Sequence, residues 1–413
     1  MLHRLGFPSV GRHGRFVTAI AVDAVGSGVF MPVAILYFLV TTDLSLVQVG
    51  AAISLASVLA LPIGPIVGGV VDRVGAKQVL LAGNALQALG YAAYLVTDSF
   101  LGVVVWTVVV TVGRTAFWGS YGTIVAAISV PGEREKWFGF LGALRNVGFA
   151  IGGLVSGLAI TIGTPAAYAV VVIVNAASYV VAFALLLAVP ATAHTPHARR
   201  PGSWAVVLRD RPYRWLFACQ LAYSTAMMAL NFAMPVYATT VLGLPGWVTG
   251  ALFTINTVIV GFGQGLAVQA MTGRVRWRVL ALANLVFAAS FLILLGANWL
   301  SATLAAAVVL VGSAIYTIGE VAGGPVHGAL SVEAAPEHLH GRYLSLVQLA
   351  WNLSGALAPV SFAWLLERGA AAIWLALCAL SLVGASLAVR LGRAMPAAAG
   401  VVTNRSTQEP VGP

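Results

Sequence analysis

Apolar runs of about twenty residues or more, separated by short polar or Gly/Pro-containing breaks, dominate the chain and predict membrane-spanning helices rather than alternating barrel strands. Six fall near residues 16–40, 46–71, 79–96, 100–130, 137–162 and 168–189, and six more follow a polar break, near 215–242, 248–271, 279–297, 301–330, 344–366 and 370–389. A helix satisfies its backbone hydrogen bonds internally, as lipid demands. The pattern therefore predicts an all-α membrane protein, with twelve transmembrane helices in two six-helix bundles. The chain divides into a first bundle (1–189), a cytoplasmic linker (190–212), a second bundle (213–393) and a tail (394–413) expected to be flexible. The first run exceeds the roughly 7 to 15 residues of a signal-peptide core, so it is expected to remain as a helix.

Composition agrees with this pattern. Of 413 residues, 60% are hydrophobic and 8% charged. An ordinary soluble domain is about 25% charged, so that class is excluded. The net charge of +10 does not signal nucleic-acid binding, because the basic residues punctuate loops instead of interleaving with aromatics on one surface. Nineteen of the 22 cations fall on the side of the N-terminus, Arg368 falls opposite, and Arg114 and Arg145 lie within spans. By the positive-inside rule both termini are expected in the cytoplasm, with the chain multi-pass in an inner or plasma membrane. Cys219 and Cys378 sit in separate apolar runs, and His194 and His197 lie in the linker without further ligands nearby. Neither a disulfide framework nor a metal site is expected, and no cofactor is implied.

The halves repeat weakly. Met31-Pro32-Val33 recurs as Met234-Pro235-Val236 at an offset of 203. Arg73-Val74, Val79-Leu80 and Asn84 recur as Arg274-Val275, Val279-Leu280 and Asn284 at offsets of 200 to 201. Duplicated bundles are a common way to build transporters.

Between the second and third spans stands Gly68-Gly-Val-Val-Asp72-Arg73-Val-Gly75-Ala-Lys77. Gly68 permits close helix approach, and Gly75 supplies the positive φ of a tight turn. Asp72 can accept hydrogen bonds from a neighbouring helix N-terminus, while Arg73 and Lys77 add inside charge. The loop resembles the signature Gly-x-x-x-Asp-Arg-x-Gly-Arg-Lys of the major facilitator superfamily, with Ala76 in place of the usual Arg. The resemblance implies a conformational latch between the bundles. In the tenth span, Gly319-Glu320 followed by Pro325 is similar to the embedded Glu of that superfamily's multidrug exporters, and Asp23 near Pro32 resembles the acidic first helix of drug:proton antiporters. Two departures accompany the likeness: Trp118 stands four residues after Arg114 where that branch has Gly, and the fifth span has Gly148, Gly152, Gly153 and Gly157 but no Gly-Pro.

Asp23, Arg114, Arg145 and Glu320 lie within spans, where a central Arg or Asp costs about 2.5–3.5 kcal/mol and should face a partner or a wet cavity. Glu320 is the candidate proton carrier; the bland alternative is a permanent ion pair with Arg114. Asp23 is the second candidate, with Arg114 as its partner or as a regulator of Glu320. Arg145 is expected to snorkel towards the interface, or else to join that network. His327, seven positions after Glu320 and on nearly the same helix face, either extends a proton path or packs. Gln348, Trp351 and Asn352 share one face of the eleventh span and are candidates for a substrate cavity, with Tyr37, Trp118, Asn231, Tyr237, Asn256 and Tyr316 as weaker ones.

These residues point to a secondary transporter, coupled to protons and exporting a small hydrophobic or cationic compound. The alternatives are a facilitator or proton symporter importing a metabolite, and a non-transporting sensor or membrane enzyme. No phosphate-binding Gly-x-x-x-x-Gly-Lys loop, His-Glu-x-x-His or Gly-x-Ser-x-Gly motif occurs, so an enzyme is not expected. The expected partners are a small-molecule substrate, protons and the lipid bilayer, with the chain acting as a monomer.

Overall fold

The structure is a computed structural model and describes residues 8–130, 132–189, 204–395 and 400–403. Among the described residues, twelve long helical elements follow the predicted runs. They are α1 (Gly11–Thr41), α2 (Gln48–Ala60 continued by Ile63–Val74), α3 (Ala76–Tyr94), α4 (Phe100–Ile128), α5 (Arg134–Ile162) and α6 (Pro165–Leu187). Then come α7 (Arg211–Val241), α8 (Gly246–Ala270), α9 (Arg276–Trp299), α10 (Ala302–Glu333), α11 (Glu337–Glu367) and α12 (Ala370–Ala394).

Ten of these are each long and apolar enough to cross a membrane, and α2 makes an eleventh although it bends by 46°. The bend sits at Leu61-Pro62, where proline removes a helix hydrogen bond and clashes with the preceding turn. The 19-residue α3 is less apolar because it carries Asn84 and Gln87, both buried. Each turns its amide back onto its own helix, Asn84 onto Leu80 O at 2.9 Å and Gln87 onto Gly83 O at 3.3 Å, so both amide NH2 groups are satisfied within α3.

α1 packs on α5 and α6, and α3 on α4 and α6; in the second bundle α9 packs on α10 and α12, and α7 on α11 and α12. The internal repeat has a structural counterpart. Asn284 donates to Leu280 O at 2.9 Å as Asn84 does to Leu80 O. The buried Tyr37 hydroxyl donates to Tyr94 O at 2.8 Å, and the buried Tyr237 hydroxyl to Leu294 O at 2.9 Å. Both tyrosines and both acceptors are separated by 200 positions, whereas the Met-Pro-Val triplets differ by 203. The helices differ where the extra residues fall: α1 tightens into a 3-10 turn at Met31–Val33, and α7 widens into π-helical turns at Ala229–Ala233 and Tyr237–Val241.

Glycines set the crossing of α1 and α5. A Cβ on Gly152 would fall on the backbone of Val25, Gly28 and Val29, and one on Gly148 would stand 2.7 Å from the Ala24 Cβ. Gly153 and Gly157 face open space and take no part. We expect Gly152→Ala to push the helices apart and cost about 3 kcal/mol, whereas Gly153→Ala should be neutral or better. Thermal unfolding of the two variants in detergent checks this; equal melting temperatures would remove Gly152 from the crossing.

The linker and the tail are described only in part. Of the linker, residues 190–203, with His194 and His197, lie outside the described residues; Trp204–Arg209 forms a short helix that buries Val207 in the second bundle. In the tail, Gly400–Thr403 is ordered against the second bundle. Residues 396–399 and 404–413 lie outside the description, but Val401 pairs in an antiparallel bridge with Val275 and Val402 is fully buried.

Candidate functional site

The first cluster lies in the first bundle. The close α1–α5 crossing brings Asp23 against Arg145, with Nη1 to Oδ2 at 2.7 Å and side chains only 5% and 12% exposed. The guanidinium also stands 4.5 Å from the Trp118 ring centroid, with Phe149 at 5.5 Å and Phe117 at 5.7 Å. A delocalised cation suits both partners at once, because its plane lies over the rings while its edge meets the carboxylate. Arg145 therefore does not snorkel. It is held inside the bundle by a carboxylate and three rings.

Arg114 is not the partner of Asp23, nor of Glu320; it forms no ion pair among the described residues, and it is exposed although it sits at the middle of α4. It shares a helix face with Phe117, Trp118 and Tyr121, which point into the bundle, so that exposure belongs to an interior opening. Tyr91, stacked on Tyr179 at 5.5 Å, lies within electrostatic reach of both Arg114 and Asp23.

The second cluster surrounds Glu320, thirteen residues from the end of α10 and hence about 20 Å along it. Its carboxylate meets no cation among the described residues. Oε2 accepts from Asn256 Nδ2 of α8 at 2.6 Å, and the same amide donates to Thr317 Oγ1 at 3.2 Å. Thr317 spends its own proton on Ser313 O at 2.9 Å, so its oxygen is left to accept and the amide NH2 is turned to the carboxylate. Pro325 has no N–H, which frees the Val321 carbonyl of α10; Gln264 Nε2 of α8 takes it at 2.7 Å. Tyr223 donates to Glu320 O at 2.9 Å, with its ring against Gly323 and 4.7 Å from that of His327. His327 is buried, and neither ring nitrogen has a hydrogen-bonding partner among the described residues.

The bundles meet at the end of the molecule where α1 begins and α12 ends. Asp72 Oδ1 accepts from Gly341 N at 2.6 Å and Oδ2 from Arg342 N at 3.3 Å, two free amides of the first turn of the α-helical part of α11, His340–Glu367. Arg342 adds an ion pair at 3.6 Å. Gly68 and Gly341 make the approach possible, since a Cβ on Gly68 would stand 2.8 Å from Gly341 O. Gly75 takes φ +95°, and Lys77 turns away to donate to Leu187 O at 3.1 Å and to Val189 O, capping α6. Arg73 is exposed and makes no ion pair among the described residues.

A second contact between the bundles was not anticipated. Glu135 of α5 is fully buried against Arg276 of α9 at 2.6 Å, and Arg276 also binds Glu333 of α10, which lies 3.7 Å from Arg134 of α5. These four residues read in sequence as ordinary loop-flanking charges. Their only signal is that Glu135 and Glu333 are two of only 12 acids in the chain.

The family model described as Major Facilitator Superfamily matches residues 16–359. The chain belongs to that superfamily. It is thus a multi-pass membrane transporter rather than an enzyme. Among curated relatives, the class D tetracycline resistance protein of Salmonella ordonez is 22% identical over 84% of this chain and 87% of its own length. The multidrug resistance protein MdtH of Edwardsiella ictaluri is 24% identical over 78% of each. The class G tetracycline resistance protein of Vibrio anguillarum is 28% identical over 59% of this chain, a match spanning 60% of that protein. In fold, the chain is similar to a bacterial homologue of the iron transporter ferroportin in an outward-facing state, with a TM-score of 0.75 at 14% identity over 92% of this chain and 99% of that one. The proton:xylose symporter XylE gives 0.73 at 15% identity over 91% and 94%.

Within the major facilitator fold the remaining cavity candidates separate. Gln348, Trp351 and Asn352 are all half-buried on α11, and Gln348 Nε2 donates to Asn352 Oδ1 at 3.2 Å. Trp118 lies under Arg145, and Asn231 is exposed in the π-helical part of α7. Tyr37, Tyr237 and Tyr316 are packed among the described residues. Each is buried and donates its hydroxyl to a backbone carbonyl, Tyr316 to Met227 O at 2.8 Å. Alternating polar and aromatic residues along a span mark an interior face, without telling a wet face from a packed one.

Proposed function

We propose that this chain is a proton-coupled exporter of a small hydrophobic or cationic compound, working by alternating exposure of a central cavity. The observation that carries the reading is Glu320: a carboxylate deep in a span, met by a neutral amide and by no cation among the described residues. Such a group is stable in the membrane when it holds a proton or a bound cation, and exchange between those two is what antiport requires. The tetracycline and multidrug resistance proteins among its relatives support the class of cargo. On this reading Glu320 carries the proton, and His327 packs beside it against Tyr223. Arg114 and the Asp23–Arg145 pair shape the opposite wall, and Gln348, Trp351, Asn352, Trp118 and Asn231 are the candidate contacts for substrate. Of the signature loop, Gly68 and Asp72 form the latch onto α11, Gly75 makes its turn, and Arg73 and Lys77 add positive charge beside it; the latch governs closure at the end where α1 begins and α12 ends, which we take as the cytoplasmic side from the excess of Arg and Lys there.

The test is transport by purified protein in vesicles under an imposed pH gradient, with tetracycline and a panel of fluorescent lipophilic cations. Accumulation against the substrate gradient, abolished by a protonophore, is the expected result. Movement only down the substrate gradient and indifferent to protonophore would identify a facilitator instead.

A further inference from the structure

The segment Gly400–Thr403 lies antiparallel to the turn between α8 and α9. Gly273 N donates to Val402 O at 2.7 Å, Val402 N to Arg274 O at 3.0 Å, and Arg276 N to Gly400 O at 2.8 Å. Gly273, at φ +78°, turns the loop into this pairing. Val402 is fully buried and belongs to the apolar cluster that also holds Met271, Val279, Leu339 and Tyr343, which ties the segment to the core of the second bundle.

The third hydrogen bond falls on a particular residue. The opening N–H groups of a helix have no partner within it, and α9 has no side-chain cap at its start. The Gly400 carbonyl supplies the cap. The residue it holds is Arg276, whose guanidinium joins Glu135 of the first bundle to Glu333 of the second. Tail, helix start and inter-bundle ion cluster thus form one chain of direct contacts.

We propose that the C-terminal segment is a strap that positions Arg276 for the inter-bundle cluster, so that its docking favours the state closed at this end and its release favours opening. The strap acts through Arg276 and touches no candidate substrate contact. It rests on the reading that the bundles alternate, but not on the identity of the substrate or on proton coupling.

The experiment follows opening directly. A cysteine placed at Leu344, buried where α11 meets Gly122 of α4, reports opening through its rate of maleimide labelling after Cys219 and Cys378 are replaced by alanine. Val402→Asp puts a charge into the strap's apolar seat, and Arg276→Gln breaks the cluster. Each is expected to raise labelling at least about fivefold, in the usual range of coupling between sites. The double variant is expected to label no faster than the stronger single variant, because both act on one contact. Unchanged labelling in folded Val402→Asp, or a double effect equal to the product of the two, overturns the proposal. Should Val402→Asp not fold, the chain ending at Met395 carries the same comparison, and failure of both to fold overturns it by making the segment a structural part. Labelling needs neither substrate nor pH gradient, so a failed transport assay leaves this result standing.

Discussion

Glu320→Gln should fold, bind a neutral substrate with near-normal affinity, and fail to accumulate it against a gradient. The substitution keeps size and shape and replaces an ionisable group by a neutral amide, which mimics the protonated carboxyl permanently. Its Oε1 can still accept from Asn256 Nδ2, the bond that now holds Glu320 Oε2 at 2.6 Å. No buried cation is stranded by the change, since Arg114 is exposed and pairs elsewhere with nothing among the described residues. The stability cost is therefore about 1 kcal/mol or less, the worth of one altered hydrogen bond. Uphill transport driven by a pH gradient is expected to fall to the level of empty vesicles, while exchange of labelled for unlabelled neutral substrate persists. A cationic substrate should also lose affinity, because the charge that attracts it is gone. A stable variant that still pumps uphill would take the coupling proton away from Glu320.

The fold was legible because lipid imposes one rule on every span. Apolar runs of the right length are helices there, and even the polar α3 kept its place in the count once Asn84 and Gln87 turned back onto their own backbone. In the signature loop the turn at Gly75 was legible because a positive φ is a local demand, and the need of Asp72 for a helix N-terminus was legible although the helix that supplies it was not. Partnership between distant charges was not legible. Asp23 and Arg145 are 122 positions apart, and their meeting depends on where Gly148 and Gly152 let α1 lie against α5, which spacing along one helix does not reveal. Asn256 was hidden differently. A lone amide in an apolar run usually packs, and its bond to Glu320 rests on the Thr317–Ser313 pairing that orients it.

Arg145→Ala should be the most destabilising single substitution of a charged residue in the first bundle. It leaves the Asp23 side chain, 5% exposed, without its counter-ion, and breaking one partner out of a buried pair costs about 3–5 kcal/mol. Loss of the contacts to Trp118, Phe149 and Phe117 adds about 0.5–2 kcal/mol. Arg145→Lys should fall between, since an ammonium keeps the charge but not the flat face that lies on the indole. Asp23→Asn with Arg145→Gln removes both charges together, and most of the loss should return. Denaturation of the wild type, Asp23→Asn, Arg145→Gln and their double variant in detergent forms a double-mutant cycle, and a coupling near zero would mean that the pair contributes nothing net. The double variant also decides what the pair is for. If Asp23 only neutralises Arg145, the double variant transports normally per folded molecule. If the pair opens and closes as protons cross, the double variant is stable and yet poorly coupled, and Glu320 then shares the proton with the first bundle.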